Sequence, residues 1–355
     1  MKVFKNGSET DMNDQIKIAV LAGALSHERD VSLLSGSLIA NALARKGYLV
    51  AFADVFMGCA PVDENTFSSK ADYSYKISEQ VPDLDALKAQ RGGKGEIGEN
   101  VIELCKAADV VFMALHGGIG ENGKLQAMLE ILDIRYTGSH SCGATLAMDK
   151  DISKQLLRHA GVPTADWLCV TADTDYTEKD FAEQVGYPCV IKPCCGGSSV
   201  GVSFAHNYEE LSKALEFASK YEESIIVEKK VSGRELTIGI LDGNALPPVE
   251  IIPKSGFYDY ANKYQSGRTE EICPAPLTKE ETERLSDVAK KAFDTLKLGS
   301  YARIDFIYDG KEFWCLEANT LPGMTPLSLL PQEAAAVGVD YDSLCDTIVK
   351  LALRD

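Results

Sequence analysis

Three stretches of this chain carry side chains whose types and spacing could do chemistry. The first is RIDFIYDGKEFWCLEANTLPG, residues 303–323. Asp305, Glu317 and Asn319 are hard oxygen donors at strand positions, the kind that suits Mg²⁺. Glu317 and Asn319 are two apart and share a face. Whether Asp305 joins them depends on the turn. A two-residue loop at Asp309–Gly310 would pair Asp305 with Trp314 and turn it away. A three-residue loop, Asp309 to Lys311, would set it opposite Cys315 and on the side of Glu317. The expectation is therefore a three-residue loop with Gly310 at positive φ, and Arg303 on the same face. The plainer alternative is a charged, solvated hairpin face. The flanking Phe306, Phe313, Trp314 and Leu316 speak against it.

The second stretch is VIKPCCGGSSVGVS, residues 190–203. It is not a Walker A loop, because the Lys precedes the glycines and no helix follows. Alternation resumes at once, so the loop joins two antiparallel strands. A Gly/Ser hairpin tip beside a strand-borne Lys192 can lie over phosphates. The alternative is a surface hairpin that needs glycine only for its turn. The vicinal Cys194–Cys195 reads as incidental, with an oxidation liability if exposed.

The third stretch is ALHGGIGENGKLQ, residues 114–126. Gly118, Gly120 and Gly123 spell the dinucleotide fingerprint G-x-G-x-x-G after an apparent strand. The context does not fit. The loop follows the third strand of its sheet rather than the first, and the next short strand, IRYTG, does not end in an acid. His116 stands at the strand's carboxyl end instead. The glycines read as a sharp ligand loop at a sheet edge.

The elements that must position these residues fall into two patterns. Ile16–Ala22, Tyr48–Val55 and Asp109–Leu115 read as strands. They alternate with helices from about 30 to 47, near 99–107 and from about 123 to 131, followed by a short strand ending YTGS. Such alternation implies a parallel sheet. Residues 58–96 are polar and carry no clear pattern. A helix over about 149–160 is stopped by Gly161 and Pro163. From about 166 to 252 short strands alternate with helices near 178–185 and 207–220, a mixed α+β pattern. Thr278 and Glu281 form a capping box, and Gly299 is the expected stop of that helix. A Pro/Gly-rich loop and a final helix close the chain.

Composition bounds the function. At 355 residues the chain can hold two or three domains. Its 45% hydrophobic and 25% charged content is that of a globular protein. A net charge of −17 excludes nucleic acid and anionic membrane as main partners. None of the ten cysteines forms C-x-x-C, which argues against a zinc or thioredoxin-like motif, and their scatter suits reduced thiols in a cytosol. The N-terminus shows no apolar signal region, and no run approaches the roughly 18 apolar residues of a membrane span.

Taken together, the segments resemble the D-alanine–D-alanine ligases of the ATP-grasp superfamily. The matching pieces are LSHERDVSLLSG (25–36), ALHGGIGENGKLQ (114–126), YTGS (136–139), AMDK (147–150), IKPCCGGSSVG (191–201), VEKKVSGRELT (227–237), FYDYANKY (257–264), ARID (302–305) and LEANTLPGMTPLSLLP (316–331). Each is modest alone; their order across nearly the whole chain is specific. The resemblance implies a three-domain ATP-grasp fold of α/β and α+β character: an N-terminal parallel-sheet domain over 1–145, a central subdomain with the phosphate loop over 146–232, and a C-terminal subdomain over 233–355 with the metal site and a mobile loop at 255–272.

It also implies roles. Lys150 and Lys192 would contact ATP phosphates under the glycine loop 194–199, which includes Ser199. Glu228, Lys229 and Val231 belong to the segment against the adenine, and Glu235 would hold the ribose. Asp305, Glu317 and Asn319 would bind two Mg²⁺, with Mn²⁺ a possible substitute. Lys263 and Arg303 would steady the transferred phosphoryl group. Glu28 and His116 would orient the first D-alanine. Glu28, Ser198 and Tyr264 would form a hydrogen-bonded triad. Ser328 and the Leu329 amide would take the carboxylate of the second D-alanine, and the Gly323 amide with Arg303 the oxyanion. The expected protein is a cytoplasmic homodimeric ligase of peptidoglycan precursor synthesis. The rivals are a sister ligase using D-serine or D-lactate, a non-catalytic relative, and an NAD oxidoreductase. Depsipeptide-forming relatives lack the triad Tyr, so Tyr264 favours the dipeptide.

Overall fold

The computed structural model describes residues 16–354 apart from 71, 78–81, 94, 172, 173, 175, 198, 199 and 255–268. The chain divides into two compact units, residues 1–141 with 321–355, and residues 142–320.

The first unit is built on a parallel sheet. β1 (Lys17–Ala22) lies between β2 (Leu49–Asp54) and β3 (Val110–Met113). Ile18 to Ala22 are fully buried, as a central parallel strand covered on both faces requires, which is why it reads as an unbroken apolar run. Helix α1 (Arg29–Arg45) connects β1 to β2. The Ser32 hydroxyl ties it down by donating to Ala114 O at 2.7 Å and accepting from Gly23 N at 2.8 Å. Gly36 lets α1 close on the sheet, since a Cβ there would lie 2.6 Å from the Ala22 Cβ. Helices α2 (Leu84–Gln90) and α3 (Val101–Ala107) precede β3, and α4 (Lys124–Ile131) follows it. The expected short strand at YTGS is reduced to one parallel bridge between Tyr136 and Val111.

The second unit carries two antiparallel sheets. Helix α5 (Ser141–Met148), which the sequence reading did not anticipate, leads into α6 (Lys150–His159). Asp149 caps α6 by accepting from Ile152 N. Then come β4 (Trp167–Val170), α7 (Glu178–Gln184), β5 (Cys189–Pro193), β6 (Ser203–Ala205), α8 (Tyr208–Ala218) and β7 (Ile225–Lys229), with sheet order β4-β7-β5-β6. The glycine loop does join two antiparallel strands. The second sheet comprises β8 (Arg234–Leu241), the short β9 (Asn244–Ala245) paired with it, β10 (Val249–Pro253), β11 (Thr269–Ile272), β12 (Tyr301–Tyr308) and β13 (Phe313–Asn319), in the order β11-β10-β8-β12-β13. Helix α9 (Lys279–Thr295) opens with the expected Thr278/Glu281 capping box and buries Leu285, Ala289 and Ala292 in the core beneath this sheet. Its stop is not Gly299. Lys297 takes the left-handed conformation at φ +54°, and Leu298 N reaches back to Phe293 O at 3.0 Å. A closing bond of that kind holds a non-glycine residue in a conformation it otherwise disfavours.

After Thr320 the chain returns to the first unit, whereas the sequence division carried its third segment on to 355. Helices α10 (Leu329–Ala336) and α11 (Tyr341–Ala352) belong there. The α11 residues Leu344, Cys345, Ile348 and Val349 are buried. Arg45 and Tyr48 bond Asp342 and Asp346. No helix of the described residues is long and apolar enough to cross a membrane.

Candidate active site

The metal-type face forms by a route the turn rule missed. Tyr308 pairs with Phe313, so the loop has four residues, 309–312, rather than three. Gly310 does sit at φ +93°. With that loop alone Asp305 would oppose Leu316 and face the wrong way. A β-bulge between Asp305 and Phe306 restores the register, and Asp305 pairs with Glu317 directly. Arg303 pairs with Asn319 one step along. Arg303 then grips Asp305 with two bonds, Nε to Oδ1 at 3.0 Å and Nη2 to Oδ2 at 3.1 Å. Asn319 Nδ2 donates to Asp305 Oδ2 at 2.9 Å, and the Thr237 hydroxyl to Oδ1 at 2.5 Å. The donor set fits a hard divalent cation: oxygen ligands on neighbouring strand positions of one face. Lys150, 3.4 Å from Glu317, and Arg303 at Asp305 show that this face already gathers positive charge.

This face opens on a cavity of about 640 Å³ within the second unit. Its other walls are the glycine hairpin (Gly196, Gly197), the segment Lys229–Val231 and Glu235 of β8. A cavity of that size suits a ligand as large as a nucleotide. Lys150 opens α6 and donates from Nζ to Gly196 O at 2.5 Å, so the helix start holds the hairpin tip. Lys192 comes from β5, and Glu228 of β7 stands beside it because residues 190 and 228 pair across those strands.

Glu228 is buried and its oxygens are shared between two lysines. Oε1 lies 2.6 Å from Lys192 Nζ, and Oε2 lies 2.9 Å from Lys154 Nζ. Burial alone would raise the Glu228 pKa, but the two ammonium groups outweigh it and hold it down at about 2. Burial likewise pulls Lys192 down, and the charges of Glu228 and Glu317 reverse it to a net rise. For Lys154 burial wins and its pKa is lowered. The Glu228 carboxylate is thus a positioning group for the lysines. Lys154 and Thr237 were missed in the sequence. The only available signal for Lys154 was its i+4 spacing from Lys150, which puts both on one face of α6.

The first unit holds the other predicted residues. Glu28 caps the start of α1 by position, without a side-chain capping bond. A Cβ on Gly117 would fall 3.3 Å from Glu28 Oε2, so Glu28 and the His116–Gly117 strand end lie together. His116 is buried with Nδ1 3.1 Å from Leu321 O. A carbonyl only accepts, so that bond puts the proton on Nδ1. Glu121, also missed, accepts from Gly117 N at 2.6 Å and from Leu321 N at 3.4 Å. Ser328 Oγ accepts from Thr325 N at 3.0 Å. A Cβ on Gly323 would come within 2.9 Å of that oxygen, which explains the glycine. Leu329 is the buried first residue of α10. Its amide belongs to the helix-terminal N–H groups that lack intrahelical partners and suit a carboxylate. Ser198, Ser199, Lys263, Tyr264 and most of the 255–272 loop lie outside the described residues.

The chain thus combines a parallel-sheet unit with a two-sheet unit that carries a cation-lined cavity, and comparison with known proteins identifies its class. A family model described as D-ala D-ala ligase N-terminus matches residues 17–139, and one described as D-ala D-ala ligase C-terminus matches 156–350. The chain belongs to the D-alanine–D-alanine ligase family. The D-alanine–D-alanine ligase of Pediococcus pentosaceus is 42% identical over 344 residues, covering 94% of this chain and 97% of the relative. That of Lacticaseibacillus casei is 41% identical over 354 residues, with 96% of each covered. The crystal structure of the Bacillus anthracis D-alanine–D-alanine ligase complexed with ATP superposes with a TM-score of 0.76 at 30% identity, covering 96% of this chain and 98% of that one.

Proposed function

We propose that this chain joins two D-alanines into D-alanyl-D-alanine at the expense of ATP. The observation that carries the reading is one cavity lined by Asp305, Glu317, Lys150, Lys192 and the glycine hairpin, with Arg303 and Asn319 bonded to Asp305. A carboxylate is a poor acyl donor, and phosphorylation turns it into an acyl phosphate that an amine can attack. Phosphoryl transfer demands positioning and charge neutralisation rather than a protein nucleophile. Lys150, Lys192 and the hairpin amides receive the phosphates. Lys229, Val231 and Glu235 line the part of the cavity suited to the nucleoside. Asp305, Glu317 and Asn319 are the residues that would hold Mg²⁺, which supplies charge neutralisation at the phosphates. Arg303, with Lys263, steadies the phosphoryl group. Local cations thereby allow a chain of net charge −17 to bind a polyanion.

In the first unit, Glu28 and His116 hold the first amino acid. The Ser328 hydroxyl and Leu329 amide take the carboxylate of the second. The Gly323 amide receives the oxyanion that develops on attack. Water has to be kept from the acyl phosphate, because it would hydrolyse it. We place the protein in the cytoplasm, as a homodimer serving peptidoglycan precursor synthesis.

The test is phosphate release from Mg·ATP with D-alanine alone, then with D-serine or D-lactate added, with products identified by mass. D-alanyl-D-alanine from D-alanine alone is expected. A mixed product as the main outcome would move the second subsite to a sister specificity. Absence of turnover with every pairing would overturn the reading.

A further inference from the structure

We infer that Asp149, Cys194 and Cys195, with Cys169 beside them, form a binding site for a thiophilic cation of the Zn²⁺ type at the base of the glycine hairpin. No motif marks it: Cys194 and Cys195 are adjacent, but Asp149 and Cys169 lie in earlier segments and the set has no metal-ligand spacing. The fold gathers them. Consecutive residues of a strand point to opposite faces, but Cys194 and Cys195 occupy a bend just past β5. Both thiols therefore reach one place. There the ligand atoms of Cys194, Cys195 and Asp149 all lie within 4.8 Å of one another. Cys194 Sγ lies 3.3 Å from Asp149 Oδ1, and its thiol also contacts that of Cys169. Among the described residues no other group of three such side chains is gathered in this way.

The geometry distinguishes a cation from a disulfide. A Cys169–Cys194 disulfide would have to reach across β7, which lies between β4 and β5. Two strand spacings separate Cα atoms by about 9–10 Å, beyond the roughly 7 Å a disulfide spans without backbone movement. A Cys194–Cys195 disulfide would close a small ring over a single peptide bond. A tetrahedral cation with bonds of about 2.3 Å to sulfur instead needs ligand atoms about 3.5–4 Å apart, which small side-chain adjustments within the observed cluster supply. Sulfur donors with one carboxylate select Zn²⁺ or Cd²⁺ over Mg²⁺, which takes oxygen ligands. Each binding thiol gives its proton to the solvent.

The site also touches the nucleotide cavity. Lys150 N donates to Cys194 O at 3.1 Å, and Lys150 Nζ holds Gly196 O. A cation joining Asp149 to the two cysteines would therefore pin the hairpin tip to the start of α6. The inference stands apart from the ligase reading, since metal binding is measured without turnover.

The experiment uses the full chain, reduced and stripped by chelator, in excess Mg²⁺ to saturate oxygen sites. Cd²⁺ is titrated while the ultraviolet thiolate-to-cadmium band is followed, and Zn²⁺ affinity is read by competition with a chromophoric chelator. One ion per chain is expected. Cys194→Ser should abolish the band. Cys195→Ser and Asp149→Asn should each weaken binding about tenfold or more, whereas Cys142→Ser, at an exposed cysteine outside the cluster, should change nothing. Because Cys195 is exposed, its variant is expected to fold even where Cys194→Ser does not. An unchanged band and affinity in Cys195→Ser and Asp149→Asn would overturn the site, as would failure of the intact chain to bind either ion.

Discussion

Two glycine-rich loops of this chain look alike on paper and are built differently. The loop at 117–123 closes on protein groups: Glu121 accepts the Gly117 amide, and Gln126 donates to Gly120 O at 2.5 Å. Its glycines at 117, 118 and 123 sit at positive φ. In the hairpin at 194–201, Gly201 also sits at positive φ, +75°, but the tip residue Gly196 has an ordinary φ. The hairpin tip is held by a charge from outside itself, Lys150, and shares its cavity with Lys192 and Glu228 of the Lys154–Glu228–Lys192 cluster. One loop is a shaped backbone and the other a backbone laid over buried charge. Glycine spacing alone does not separate them. What precedes each loop does: a histidine at a parallel strand end in one case, a strand-borne lysine in the other.

The largest effect expected from this contrast is at Glu228. Glu228→Ala leaves two buried ammonium groups without their counter-ion. It should cost about 3–5 kcal/mol, measured by urea unfolding, and should weaken ATP binding. The pH dependence carries a sign. The folded Glu228 pKa lies at about 2, below the ordinary 4.5. Its contribution to stability is therefore complete above the unfolded value and is lost as pH falls from there toward 2. An acid titration of the wild type should show this loss, and Glu228→Gln should flatten it. A wild type whose stability does not fall in that window would show that the cluster is not the foundation of the hairpin.

Next in size is Asp305→Asn, which removes a charged oxygen from the centre of the bulged strand pair. Turnover should fall about 10²–10³-fold, while unfolding stability changes far less. The loss should not be confined to D-alanine KM. If it were, the acidic face would belong to amino-acid binding and the division of labour between the units would be wrong.

How much of this was readable in the sequence can be judged residue by residue. The side on which Asp305 lies was foreseen, but its cause was not. The bulge that corrects the four-residue turn has no local signature, since it is fixed by β12 pairing with β8 on one side and β13 on the other. Lys297 was passed over as a helix stop because the left-handed position is held by backbone bonds rather than residue type. Lys154 was invisible because its partner Glu228 lies in a distant segment, and a buried charge looks like a solvated one until its partner is known; Glu121 was passed over although the Gly117 amide it accepts from is only four residues away. Alternation, capping boxes and strand-borne lysines are local, and those were legible.

Glu121→Ala probes the shaped loop. Losing the acceptor of a partly buried amide costs about 1–3 kcal/mol. The expected kinetic result is a raised KM for D-alanine with an unchanged Kd for ATP. An equal effect on ATP would erase the distinction between the loops.

The smallest and most direct comparison places one methyl group in each loop. At Gly117, φ is +67° and a Cβ would meet Ser26 Oγ at 2.8 Å, so Gly117→Ala combines strain with a clash and should cost about 2 kcal/mol. At Gly196, the nearest atom to a Cβ is the Pro193 Cβ at 3.0 Å. Gly196→Ala should therefore change stability by less than about 1 kcal/mol, and its effect should appear in KM for ATP, because Gly196 lines the cavity. Thermal unfolding and ATP kinetics of the two variants decide the matter together. If Gly196→Ala proved the more destabilising, the hairpin would be held by tight backbone packing as well, and buried charge could no longer be what distinguishes it from the loop at 117–123.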